Sequence, residues 1–175
     1  MKKWFSSWGW ILGVCLVVAV PLGFHYLDRW SAEACTRRGR ALVNSKEYPQ
    51  AIDRFSRAIQ IDPKYAPAYH GRGLAYLSQG EQDRAIADLS EAIRLDPSDA
   101  RALYHRGVAY AQKNVLDRAL ADLGDAIRLN PSYAAAYLTR SWVYTKMGDA
   151  AQAKADRQKA VEFDPAVEKS ECGNP

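Results

Sequence analysis

Chemistry-bearing residues are scarce in this chain. Three histidines and three cysteines are scattered through 175 residues, and no Ser-His-Asp or Cys-His arrangement is suggested by its motif context. The glycines recur at a fixed interval instead of clustering before a helix, which removes a phosphate-binding loop. Cys15, Cys35 and Cys172 form no disulfide framework. Cys35 and Cys172 flank the whole soluble region, too far apart to bridge. They read as unpaired thiols, with an intermolecular bond in an oxidising compartment as the alternative. An excess of one charge sign is also missing. From Ala32 onward, 21 basic residues face 19 acidic ones, so the basic face that a nucleic-acid binder requires is not expected. These absences leave neither an enzyme, nor a cofactor or metal site, nor a small-molecule substrate to propose.

Charge is missing altogether from one stretch. Between Trp4 and Leu27 there is no Lys, Arg, Asp or Glu. The twenty residues 8–27, as a helix rising about 1.5 Å per residue, match the roughly 30 Å hydrocarbon core of a bilayer. Trp4, Trp8 and Trp10 stand at one end, and Tyr26 and Trp30 at the other, as aromatic belts do. Pro21 is tolerable in a membrane helix. A cleaved signal peptide is the competitor, but Ala32-Glu33-Ala34 lies beyond Asp28, Arg29 and Trp30, too far from the apolar core. Residues 1–30 are therefore expected to be an uncleaved membrane anchor. Lys2 and Lys3 favour a cytoplasmic N-terminus and an exported soluble region. Arg29, Arg37, Arg38 and Arg40 argue for the opposite, cytoplasmic-facing arrangement.

What the sequence has in abundance is self-similarity. Gly39, Gly73 and Gly107 are 34 residues apart, with Ser141 at the next step. Ala51, Ala85, Ala119 and Ala153 keep that interval, as do Ala58, Ala92, Ala126 and Ala160, and Pro63, Pro97, Pro131 and Pro165 close the units. Four units follow, 32–65, 66–99, 100–133 and 134–167, with a short disordered tail over 168–175. In the second unit Tyr69, Gly73, Tyr76 and Leu77 line one helical face. After a turn at Gly80, a second helix presents Ala85, Ile86, Leu89, Ala92, Ile93 and Leu95. Asp96-Pro97 stops it, because a residue before proline avoids the α conformation. Each unit is thus a pair of helices, and the fold class is all-α.

These residues resemble the tetratricopeptide repeat family over 32–167. The second unit supplies its pattern as Tyr69, Gly73, Tyr76, Ala85, Leu89, Ala92 and Pro97. The third supplies Leu103, Gly107, Tyr110, Ala119, Leu123, Ala126 and Pro131. The first departs at Cys35 and Leu42, the fourth at Ser141 and Arg157. The resemblance implies a right-handed α-solenoid of four helix-turn-helix repeats, preceded here by the membrane helix. Where earlier units carry Ile52 and Phe55, Ile86 and Leu89, or Leu120 and Leu123, the last has Lys154 and Arg157. A terminal helix needs such a polar outer face, so the array is expected to end there. Arg38, Arg72, Arg106 and Arg140 recur with Asp88, Asp122 and Asp156, and read as interhelical ion pairs or solvated arginines.

The resemblance also implies a groove along the first helices that binds peptide segments. In this sequence its positions hold Arg37, Arg40 and Asn44, then His70, Leu74 and Leu77, then Arg101, Tyr104, His105, Val108 and Gln112, and last Leu138, Trp142 and Lys146. Cations over an apolar floor suit a protein or peptide partner with hydrophobic anchors and acidic character. His70 and His105 read as polar groove residues, since no Cys, Asp or Glu stands beside them at a matching first-helix position to complete a metal site. Trp142 is either an exposed anchor or a ring packed on Leu138 and the Lys146 stem. Some family members clamp a chaperone's C-terminal carboxylate, but Thr36, Arg40, Gly71, Arg101 and His105 lack the asparagines of that set. The expected function is a membrane-tethered interaction scaffold. A self-associating module, or an accessory subunit of an envelope enzyme or secretion complex, is the alternative.

Overall fold

The computed structural model describes residues 31–169, and the expected membrane helix over 8–27 lies outside them. Among the described residues no helix is long and apolar enough to cross a membrane. They form eight α-helices and no strand: α1 (31–44), α2 (Tyr48–Ile61), α3 (Ala66–Ser78), α4 (Gln82–Leu95), α5 (Ala100–Gln112), α6 (Leu116–Leu129), α7 (Ala134–Met147) and α8 (Ala150–Phe163). A 3-10 turn, Pro165–Lys169, follows. Each even helix packs on the odd helix before it, α2, α4 and α6 pack also on the one after, and α3, α5 and α7 touch in series. This pairing builds the solenoid.

The punctuation has a local cause. Every even helix stops at an Asp or Asn followed by proline, and those residues leave the helix for extended backbone: Asp62 at φ −134°, Asp96 at −136°, Asn130 at −133° and Asp164 at −143°. Proline imposes this on its predecessor. The freed side chain then accepts a hydrogen bond from the backbone N–H two residues on, as Asp62 does from Lys64 at 2.9 Å and Asp96 from Ser98 at 3.0 Å. Within each unit the turn between helices uses one left-handed residue: Lys46, Gly80, Asn114 and Gly148. Glycine and asparagine enter that region cheaply; lysine does not.

Packing explains the repeated small residues. Phe55, Leu89 and Leu123 are fully buried at one repeat position. A Cβ added to Gly39 would meet Phe55 at 2.8 Å, one on Gly73 would meet Leu89 at 2.8 Å, and one on Gly107 would meet Leu123 at 2.9 Å. Glycine there lets the paired helices close to contact distance. In the last unit both partners change together: Arg157 is exposed, and Ser141 turns its hydroxyl onto the Ala153 carbonyl at 2.8 Å. Lys154 is exposed as well, so α8 buries only Ala153, Asp156 and Ala160. The outer face of the last helix is polar.

The recurring arginines are ion-paired in three units. Arg72, Arg106 and Arg140 each grip the carboxylate sixteen residues later, Asp88, Asp122 or Asp156, through two bonds of 2.7 and 2.8 Å. Their carboxylate hydrogen bonds hold all three guanidiniums above the ordinary arginine value. Arg72 and Arg106 also donate to a serine of the preceding helix, Ser56 at 3.0 Å and Ser90 at 3.1 Å. In the first unit the carboxylate position holds Arg54, and Arg38 and Arg54 are both exposed.

Candidate functional site

The first helices of three units enclose a cleft of about 270 Å³ lined by Arg40, Val43, Asn44, Phe55, His70, Gly71, Leu74, Arg101 and His105. Its floor exists because of one large side chain. Phe55 fills the space that leucine fills in the next two units, and its ring lies under Gly71: a Cβ there would stand 2.3 Å from the ring. The same repeat position carries Arg37, His105 and Thr139 elsewhere. The missing side chain leaves a hollow between backbone, Leu74 and Val43. Arg40 from α1 and Arg101 from α5 stand at its edge, both exposed. A neighbouring cleft of about 440 Å³ shares Arg40, His70 and Arg101 and adds Asp96, Ser98 and Asp99.

One wall is a hydrogen-bonded chain. Asp99 caps α5, its Oδ1 accepting from the backbone N–H of Arg101 at 2.9 Å and of Ala102 at 3.3 Å. Its Oδ2 lies 2.9 Å from His70 Nδ1, and His70 Nε2 lies 2.9 Å from His105 Nδ1. His70 is buried. Burial alone would raise the Asp99 carboxyl, but the hydrogen bond from His70 and the backbone donors hold it well below the carboxylate range. Burial, and secondarily a charge on His70, push the His105 ring down to about 4. Tyr104 packs with tilted ring planes between His105, 5.1 Å away, and Tyr133, 5.0 Å away. Burial raises the Tyr133 hydroxyl to about 12.

The structure thus brings six expected residues into one cleft: Arg40, Asn44, His70, Leu74, Arg101 and His105. Leu77 and Val108 depart from the expectation, since both are buried in the core. Leu77 follows Gly73 by one helical turn and so shares the face turned to Leu89. Val108, at the repeat position of Leu74, packs within the same buried cluster. Arg37 is exposed outside both clefts, and Gln112 bonds Gln82 of α4 at 3.4 Å. Leu138 and Trp142 are half-buried in the last unit, with the Lys146 ammonium 5.2 Å from the indole centre. Asp99 was not among the expected residues. Its signal was an N-cap aspartate immediately before a helix, a position outside the helix-face periodicity.

Comparison with known proteins gives the same fold. A TPR repeat model matches residues 39–80 and 73–114, and a tetratricopeptide repeat model matches 100–133 and 134–167. Among solved structures, MamA (41-end) from Desulfovibrio magneticus RS-1 is 24% identical with a TM-score of 0.70, over 93% of this chain and 94% of that one. YrrB, described as a TPR protein with an unusual peptide-binding site, is 22% identical with a TM-score of 0.67, over 89% and 82%. The first TPR of Spaghetti, bound to the HSP90 peptide SRMEEVD, is 22% identical with a TM-score of 0.67, over 69% and 95%. No curated protein sequence matches the chain.

Proposed function

Because the chain belongs to the tetratricopeptide repeat family, we propose that it is a membrane-tethered scaffold holding an acidic, partly apolar peptide segment of a protein partner in its groove. The observation that carries this is the cleft over Phe55, where the hollow beside Gly71, Leu74 and Val43 is rimmed by Arg40 and Arg101. Arg40 has no acidic partner among the described residues, while Arg101 shares Asp99 at 3.5 Å. Both guanidiniums can therefore take a carboxylate from outside. A structure of the same fold with a bound peptide, and another described as having a peptide-binding site, support the same use. The apolar stretch over 8–27 supports tethering, which raises the local concentration of a weak ligand.

A library of peptides displayed against the full chain in lipid nanodiscs tests this. Sequences combining acidic residues with an apolar anchor should be enriched, and Arg40→Glu with Arg101→Glu should abolish the enrichment. Equal enrichment by wild type and variant would remove the groove from the account. The exported orientation has its own test. A reporter active only after export, fused behind Pro175, should be active, and a silent reporter reverses the topology.

A further inference from the structure

With both rings neutral, the Asp99–His70–His105 chain obeys a strict donor count. An ionised carboxylate only accepts, so His70 Nδ1 must carry the hydrogen in the 2.9 Å contact with Asp99. Neutral His70 then has a bare Nε2, and the 2.9 Å contact with His105 requires the hydrogen to sit on His105 Nδ1. That leaves His105 Nε2 without a hydrogen. Among the described residues only Thr36 holds a buried side-chain polar atom with no partner. His105 Nε2 is therefore no orphan of the core, and His105 lines the cleft.

We propose that Asp99 and His70 act as a relay that fixes His105 Nε2 as a hydrogen-bond acceptor in the groove, so a bound segment must bring an N–H or O–H donor to that point beside the carboxylate it gives Arg40 and Arg101. This rests on the groove reading above and names what the groove selects. The relay has a second setting. One proton from solvent at His105 Nε2 turns that atom into a donor, whether the positive charge stays on His105 or passes through the shared hydrogen to His70. The polarity of the site then inverts with no ring rotation. The groups facing the relay are Arg40 from α1, Asp96 and Asp99 from the α4–α5 turn, Arg101 and Tyr104 from α5, and Tyr133 at the start of α7. Burial against them disfavours a charge on His105; the acceptor setting is the one in which both rings are neutral.

Asp99→Asn should throw the relay the other way. Asparagine keeps its carbonyl oxygen for the α5 cap and places an NH2 donor where Oδ2 stood. His70 Nδ1 then accepts, His70 Nε2 donates, and His105 keeps its hydrogen on Nε2. Nitrogen-15 histidine spectra of the full chain in lipid nanodiscs read this directly, with His70→Gln and His105→Gln variants assigning the signals. At pH 7.5 the wild type should show His105 protonated on Nδ1 with Nε2 bare, and Asp99→Asn should exchange the two. A wild-type His105 protonated on Nε2, or a pattern unmoved by Asp99→Asn in a variant of unchanged helicity, overturns the relay. If that variant loses helicity, the wild-type tautomer decides alone. No partner is present in the measurement, so its failure leaves the peptide-display test of the groove untouched.

Discussion

The third and fourth repeats have nearly the same helices and the same arginine–aspartate clamp, yet among the described residues only the third has a further helix pair packed after it. The difference is concentrated at the contact between their paired helices. Gly107 admits the buried Leu123, whereas Ser141 stands against an exposed Arg157 and bonds the backbone instead. Helix formation is indifferent to this exchange, since leucine and arginine have similar propensities. Burial is not. A stack is ended by what its last helix offers to the next one, and the local signal for a helix carries no information about that.

The largest test of the comparison replaces the same repeat position in each. Leu123→Ala should cost about 3–5 kcal/mol in chemical denaturation through lost burial and a cavity, while Arg157→Ala should stay within about 0.5 kcal/mol. Equal losses would mean that α8 is covered. Next comes acid. The third repeat holds His105 where the fourth has Thr139. With the folded ring at about 4 against an ordinary 6.5, the unfolded chain binds the extra proton between those values, so stability falls as pH drops through that window. The loss is up to about 3 kcal/mol, and melting curves of His105→Gln should lack it. Asp99, held below its ordinary range, adds a further loss only at lower pH.

Two smaller changes sharpen the contrast. Gly148 turns the fourth repeat at φ +84°, so Gly148→Ala should lower stability by about 1 kcal/mol, and Asn114→Gly in the third should move it far less. Arg140 lacks the serine that Ser90 gives Arg106, because Gly124 occupies that place with its missing Cβ 3.9 Å from the Arg140 Nη1. Gly124→Ser should therefore raise the unfolding free energy measured by chemical denaturation by about 1 kcal/mol. No gain would show that the serine bonds of the earlier units contribute nothing.

Much of the scaffold was legible because duplication writes packing into the sequence at a fixed interval. The glycine–leucine contact, the Asp-Pro stops and the arginine–aspartate spacing each repeat, and each has one physical cause. The groove was legible only to the level of helix faces. Face position brings Arg40, Asn44, His70, Leu74, Arg101 and His105 together, but it cannot say how deep a side chain sinks. Leu77 and Val108 went to the core for that reason. Asp99 was hidden because a capping residue belongs to no face, and its role appears only when two neighbouring first helices bring His70 and His105 within a hydrogen bond. The hollow over Phe55 was hidden as well, since it depends on a ring from one unit lying beneath the glycine of the next.

The paired substitution of Ser141 and Arg157 also decides how this array could lengthen. An in-frame copy of residues 100–133 inserted beside the original would meet apolar neighbours on both sides and leave the Phe55 cleft upstream intact. A copy of 134–167 added at the end would press a new helix onto Lys154 and Arg157. Growth by duplication is therefore easier in the interior than against α8 as it stands, with Lys154 and Arg157 exposed.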